Sequence, residues 1–275
     1  MKSIHQIQHK EVNMKKLYFG SNLKMYKTIQ ETVSYLQSLY EKTKDISRDD
    51  IDLFIIPSYT ALESAAKHID QSYIKLGAQN MCWADEGQFT GEISPIMLKE
   101  LGLNLVMIGH SERRHVFGET DSEENQKVKA ALNHGFTTLL CIGETAQEKD
   151  YNISAEVLRM QLKIGLHDIP LSHLSNLWIS YEPVWSIGVN GTPASAGYAE
   201  KMHKIIKECL TELFGDAGKD IPTLYGGSVN PDNACQLITQ PSIDGLFTGR
   251  AAWQADKFEQ LIRDAMASYE AQQKN

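Results

Sequence analysis

The sequence predicts a single (β/α)8 barrel, on three observations. The chain has 275 residues, and a barrel of this kind uses roughly 250. Eight short apolar runs recur along it, separated by longer stretches of helical character. The runs are continuous rather than strictly alternating, as in strands buried on both faces, so they belong to a parallel sheet covered by helices. An open doubly wound sheet shares that pattern. The count of eight and the length select the closed barrel.

Leu17–Asn22 reads as the first strand. Residues 28–44 follow, with apolar positions at Ile29, Val33, Leu36, Leu39 and Tyr40 in helical spacing. A second run covers 53–56 and is closed by Pro57; the third covers 74–78 and the fourth Leu105–Ile108. Residues 123–134 read as a helix stopped by Gly135, just before the fifth run, Thr137–Ile142. Leu177–Tyr181, Thr223–Tyr225 and Gly245–Thr248 complete the set. No linker or low-complexity segment interrupts it, so 14–275 reads as one catalytic domain. Residues 1–13 are polar, with two glutamines and two histidines and no apolar segment; they read as a flexible extension rather than a secretory signal, and Met14 is a plausible alternative start.

Composition narrows the function. The chain is 42% hydrophobic and 23% charged, ordinary for a globular protein. A net charge of -8 argues against nucleic acid as the main partner, but a locally positive site can still take an anionic substrate. No apolar run is long enough to span a bilayer, so no membrane role is expected. Cys82, Cys141, Cys209 and Cys235 form no C-x-x-C pair, which disfavours a zinc site or disulfide framework and fits buried thiols in a reducing, cytoplasmic compartment.

In a barrel, chemistry sits on the loops just past the strands. The first strand ends in Asn22-Leu23-Lys24 and the fourth in Gly109-His110-Ser111-Glu112-Arg113-Arg114. The sixth ends in Tyr181-Glu182-Pro183-Val184-Trp185-Ser186-Ile187-Gly188, the seventh in Tyr225-Gly226-Gly227-Ser228 and the eighth in Thr248-Gly249-Arg250. A lone Lys or Glu is usually a solvated charge and a lone His usually structural. Here a base, an electrophile, a cation and two Gly-rich turns all fall on strand ends, which is the make-up of an active site.

These motifs, in this order, resemble triosephosphate isomerase, and the resemblance covers nearly all of residues 15–269. The smaller signatures Gly77-Ala78-Gln79-Asn80, Thr90-Gly91-Glu92-Ile93-Ser94 and Cys141-Ile142-Gly143-Glu144 agree with it. The resemblance implies a cofactor-independent isomerase acting on a small phosphorylated sugar, with Glu182 as the base that shuttles a proton between neighbouring carbons. It makes His110 the group that polarises the carbonyl, kept neutral by a short helix starting near Ser111. Triosephosphate isomerase is itself the standard illustration of that arrangement, so the role is carried over from the family. Lys24 supplies positive charge to phosphate and enediolate, Asn22 holds Lys24, and Glu112 pairs with it. Gly188, Ser228, Gly249 and Arg250 match the phosphate grip, where backbone N–H groups meet an anion. Residues 183–193 match a lid that excludes water from a fragile enediol phosphate. Thr90-Gly91-Glu92 matches the segment that docks into a neighbouring subunit, so a homodimer is expected.

The lid also departs from the family. The usual continuation after Ile-Gly is Thr-Gly-Lys-x-Ala; here Val189-Asn190-Gly191-Thr192-Pro193 stands instead. Arg250 occupies a position that is often a second glycine, where only its backbone N–H is expected to matter. With Cys82-Trp83-Ala84-Asp85-Glu86-Gly87 and Arg250-Ala251-Ala252-Trp253, this lid is similar to a branch that includes the erythrulose-phosphate isomerases of erythritol metabolism. The expected reaction is D-glyceraldehyde 3-phosphate to dihydroxyacetone phosphate, and the alternative is L-erythrulose 1-phosphate to D-erythrulose 4-phosphate. A catalytically silent barrel is disfavoured because Glu182 and His110 are both present. A metal-dependent hydrolase is disfavoured because His110 and His115 have no partner cluster on the other strands.

Because 1–13 lacks an apolar pattern, a chain that begins at Met14 is expected to keep its thermal midpoint and its activity. A clear drop in either would show that the extension packs on the barrel.

Overall fold

The computed structural model describes residues 15–188 and 191–274. Eight strands form a closed parallel barrel in sequence order: β1 (Leu17–Asn22), β2 (Ile51–Ile56), β3 (Lys75–Ala78), β4 (Leu105–Ile108), β5 (Thr137–Ile142), β6 (Leu177–Tyr181), β7 (Thr223–Tyr225) and β8 (Gly245–Thr248). Closure is made by β1, which pairs Leu17 with Ile51 on one side and Tyr18 with Gly245 on the other.

Among the described residues, nine α-helices lie in the connections and a tenth follows β8: α1 (Ile29–Thr43), α2 (Tyr59–His68), α3 (Pro95–Glu100), α4 (Ser111–His115), α5 (Asp121–Asn133), α6 (Ala146–Asp150), α7 (Ser154–Gly165), α8 (Ala196–Phe214), α9 (Ala234–Ile238) and α10 (Ala255–Gln273). Among the described residues none is long and apolar enough to cross a membrane. The extension read over 1–13 lies outside the described residues.

Local chemistry explains where the elements depart from the sequence reading. β2 begins two residues before the apolar run because Asp52 is a usable strand position: Lys75 on β3 reaches its carboxylate at 2.5 Å. α5 begins before residue 123 because Thr120 caps it. The Thr120 hydroxyl accepts from Glu123 N–H, and Glu123 accepts in return from Thr120 N–H at 2.8 Å, a reciprocal capping box. The helix stops at Gly135, whose φ of 69° lies in the left-handed region.

Two cores follow from the pleat. Phe54, Ile56, Leu105, Met107, Leu139, Cys141, Trp178, Leu224 and Phe247 pack together inside the barrel. Their sequence neighbours, such as Leu53, Ile55, Val106, Ile108 and Leu140, face outward into the larger core shared with the helices. Gly20 on β1 completes the inner layer by being small, since a Cβ there would fall within the ring of Phe54. Large and small residues therefore alternate across the barrel, which fills its interior and leaves the strand ends as the place for a ligand. All four cysteines are free thiols, three of them buried.

Candidate active site

The C-terminal ends of β1, β4 and β6 bring the three candidate catalytic side chains together. Lys24, just past β1, has a φ of 52°, a left-handed conformation that a lysine rarely adopts. Asn22 makes it possible. Its Oδ1 accepts from Lys24 N–H at 2.8 Å, while Gln79 Nε2 donates to Lys24 O at 2.8 Å and to Asn22 Oδ1 at 3.3 Å. The Asn22 carbonyl accepts from Trp253 Nε1, on the loop after β8, at 3.0 Å. So held, Lys24 sends its ammonium across to Glu112 Oε1 at 2.6 Å.

At the end of β4 the chain turns through Gly109, φ 76°, into α4. His110 caps this helix, and its Nδ1 accepts from Glu112 N–H at 3.1 Å. A ring nitrogen that accepts carries no proton, so the geometry assigns a neutral imidazole with its proton on Nε2. Nε2 faces Glu182 Oε2 at 3.9 Å. His110 is 5% exposed and Glu182 2%.

Glu182 follows β6 and is held by backbone. Its own N–H donates to Ile142 O at 2.7 Å, and its Oε2 accepts from Ser111 N–H at 3.2 Å, at the start of α4. The Cys141 thiol lies against it; burial first, then the Glu182 carboxylate, hold that thiol well above its usual range. Gly226 is a glycine for reasons of space, because a Cβ there would come within 2.9 Å of Glu182 Cγ and 3.4 Å of Oε1.

The candidate phosphate positions lie on the same rim, on the loops after β6, β7 and β8. Ser228 N–H donates to Ser186 Oγ at 3.3 Å, a long bond that leaves the N–H open to a better acceptor. Asn233 Nδ2 fixes the same turn through Ser228 O at 2.9 Å. Gly188, φ 94°, and Gly249 are both accessible. Arg250 differs from the expectation that only its backbone matters: its guanidinium donates to Gly188 O at 3.0 Å, tying the loop after β6 to the loop after β8. Val189 and Asn190, the first two altered positions of the lid, lie outside the described residues.

Sequence reasoning missed several supports. Gln79 and Glu144 were visible only as parts of short signatures. Glu144 is fully buried and accepts from Tyr181 Oη at 3.0 Å, Trp185 Nε1 at 2.9 Å and Tyr198 Oη at 2.8 Å. It thereby anchors the short 3-10 turn Val184–Ser186 that follows Glu182. A buried acid beside a Tyr- and Trp-rich strand end was the available signal.

Comparison with known proteins agrees with this layout. The triosephosphate isomerase family model matches residues 17–265. The L-erythrulose-1-phosphate isomerase of Rhizobium etli is 44% identical over 92% of this chain and 93% of that protein. The L-erythrulose-1-phosphate isomerase of Mesorhizobium japonicum is 43% identical over 91% of this chain and 98% of that protein. The triosephosphate isomerase of Trichlorobacter lovleyi is 39% identical over 89% and 96%. The crystal structure of triosephosphate isomerase from Bartonella henselae superposes with a TM-score of 0.83 at 33% identity, covering 91% of this chain and 99% of that one. Fold and relatives together make this chain an isomerase that interconverts sugar phosphates. It belongs to the triosephosphate isomerase family.

Removing Glu144 tests the support of the site. Glu144→Ala strips the partner from one buried and two partly buried donors and is expected to lower stability by about 3 kcal/mol in urea unfolding. A loss under about 1 kcal/mol would mean that water replaces the carboxylate there.

Proposed function

We propose that Glu182, His110 and Lys24 carry out a cofactor-free proton transfer between adjacent carbons, and that L-erythrulose 1-phosphate is the preferred substrate. The observation that carries the chemistry is the facing pair of Glu182 Oε2 and His110 Nε2, 3.9 Å apart and both buried. Glu182 removes the proton from the carbon next to the carbonyl. The C–H electron pair forms the C=C bond, and the carbonyl pair moves to oxygen, where the His110 Nε2–H and the Lys24 ammonium meet the new charge. The carbon proton returns from Glu182 to the former carbonyl carbon, and the hydroxyl proton moves in the same direction, from the oxygen of the deprotonated carbon to the former carbonyl oxygen.

This sequence needs only a phosphate, a carbonyl and a labile hydrogen in fixed relation. In L-erythrulose 1-phosphate the reacting carbon carries one extra CH2OH compared with dihydroxyacetone phosphate, and the product is D-erythrulose 4-phosphate. Two observations support the larger substrate. The relatives named for it are 44% and 43% identical. The lid and β8 loop depart from the usual triose pattern where Arg250 binds Gly188 O. The second reading, D-glyceraldehyde 3-phosphate to dihydroxyacetone phosphate, is favoured by the intact catalytic motifs and by the 39% identical triosephosphate isomerase.

The same reading places Ser228, Gly188, Gly249 and Arg250 around the phosphate, with Asn22, Ser111 and Glu112 supporting the catalytic groups, and makes 183–193 a lid over the substrate. A homodimer in the cytoplasm belongs to it as well. Met25, 95% exposed, Phe89, 40%, and Phe117, 65%, leave apolar surface on the loops after β1, β3 and β4, with Phe89 next to Thr90-Gly91-Glu92, and a second copy would cover it. The pathway is erythritol breakdown, or glycolysis and gluconeogenesis on the second reading.

Glu182→Asp keeps the carboxylate but withdraws it by about one methylene, so kcat should fall about 10²-fold with an unchanged melting temperature. Near wild-type turnover would remove Glu182 from the role of base. Substrate choice is settled by side-by-side kinetics: kcat/KM for L-erythrulose 1-phosphate should at least match that for glyceraldehyde 3-phosphate, since a fitted CH2OH adds about 1–3 kcal/mol of discrimination. Near-diffusional triose turnover with no activity on erythrulose phosphate would leave the triose reading standing.

A further inference from the structure

The proposed mechanism leaves one buried acid near the site unused. Glu124, in the first turn of α5, is 0% exposed. Its Oε2 lies 2.7 Å from Arg114 Nη2, but off the direction of that group's N–H bonds, and neither carboxyl oxygen has a hydrogen bond of good geometry. Arg114 is committed elsewhere. Nε donates to Gly109 O at 2.8 Å, Nη2 to Cys141 O at 3.1 Å and Nη1 to Asp121 Oδ1 at 2.5 Å. Gly109 is the residue before His110, and Cys141 is the thiol against Glu182. The Glu124 carboxyl also fills the space where a Gly109 side chain would stand. One guanidinium thus clamps the ends of β4 and β5, and one orphaned carboxyl presses on both the clamp and the turn it holds.

We propose that Glu124 is a positioning residue that must stay neutral: uncharged, it leaves Arg114 on the Gly109 and Cys141 carbonyls and so keeps His110 and Glu182 in register. This rests on the reading of His110 and Glu182 given under the proposed function. The groups around the carboxyl are Arg114 from α4, Glu119 from the turn before α5, Asp121 and Lys127 from α5 itself, and the Cys141 thiol from β5. Arg113 joins them through Glu119, at 2.5 Å. Counting Arg113 and the Glu92 that faces it, three cations (Arg113, Arg114, Lys127) balance three anions (Glu92, Glu119, Asp121) while Glu124 is neutral. Ionised, Glu124 leaves the cluster one negative charge in excess and competes with the carbonyls for the Arg114 N–H groups.

Burial, more than the neighbouring charges, raises the Glu124 carboxyl to about 8 from its ordinary 4.5. Folding therefore favours its protonated form. The stability this contributes is fully present below pH 4.5 and is lost as pH rises through about 8.

The test uses the full-length enzyme with the sugar phosphate it turns over faster. In the wild type, kcat at pH 9 should fall about tenfold below kcat at pH 7, because only about a tenth of Glu124 stays neutral. In Glu124→Gln that ratio should stay within about twofold, since the amide keeps the shape and cannot ionise. Glu124→Leu carries the same expectation and stands in if the Gln variant does not fold. The melting-temperature gap between wild type and the folded variant should change steadily between pH 5 and pH 8, against the wild type as pH rises. A folded variant that loses activity with pH as the wild type does overturns the proposal, even if its melting temperature is lower. A pH-independent gap overturns it too. Failure of the site reading would show separately, as full turnover by Glu182→Asp.

Discussion

A parallel strand at the edge of a sheet leaves a row of donors and acceptors unpaired, and eight such strands have no edge only if the first bonds to the last. β1 does this, pairing with β2 along one side and β8 along the other. The helix-bearing crossovers point all eight strands in one direction, and closure gathers their C-terminal ends on one rim. Lys24, His110 and Glu182, far apart in sequence, meet there because of that constraint. The inner layer is part of the same solution. Gly20 yields to the Phe54 ring, so the barrel is filled and a ligand is confined to the rim.

The rim itself is built mainly from backbone. Glu182 is held by the N–H of Ser111, His110 by the N–H of Glu112, and Lys24 by the side chain of Asn22 on its own N–H. Backbone groups at the ends of strands and short helices move little, so the side chains they hold are fixed before any substrate arrives. The ionic groups stand one step back. Glu144 gathers three aromatic donors behind the turn after Glu182, and Arg114 grips two strand-end carbonyls behind His110.

Much of this was legible in the sequence. All eight strands lie where the apolar runs put them, within two residues at β2, because parallel strands buried on both faces leave an uninterrupted apolar signature. The short helices α6 and α9, of five residues each, carry no periodicity to read; α4, equally short, was expected only through the family resemblance. The strained backbone of Lys24 left no trace, since a lysine gives no hint of a left-handed turn. Glu124 was hidden by its type. It sits four residues before Val128 and seven before Ala131, on the same buried face of α5, but among Asp121, Ser122, Glu123 and Asn125 it reads as part of a solvated cap. The side-chain bond from Arg250 to Gly188 was not foreseen, because a rim contact between two loops depends on loop shape rather than on pattern.

The bond from Trp253 Nε1 to the carbonyl of Asn22 joins residues 231 positions apart. On a ribosome the chain emerges from its amino end, so Asn22 and Lys24 leave the exit tunnel long before their partner exists. Until Trp253 appears, β1 has a neighbour on one side only and the lysine turn lacks its outer brace. Contacts of such long range form late, after the local helices and adjacent strand pairs. The growing chain is therefore without a finished rim until β8 and the loop behind it have been made.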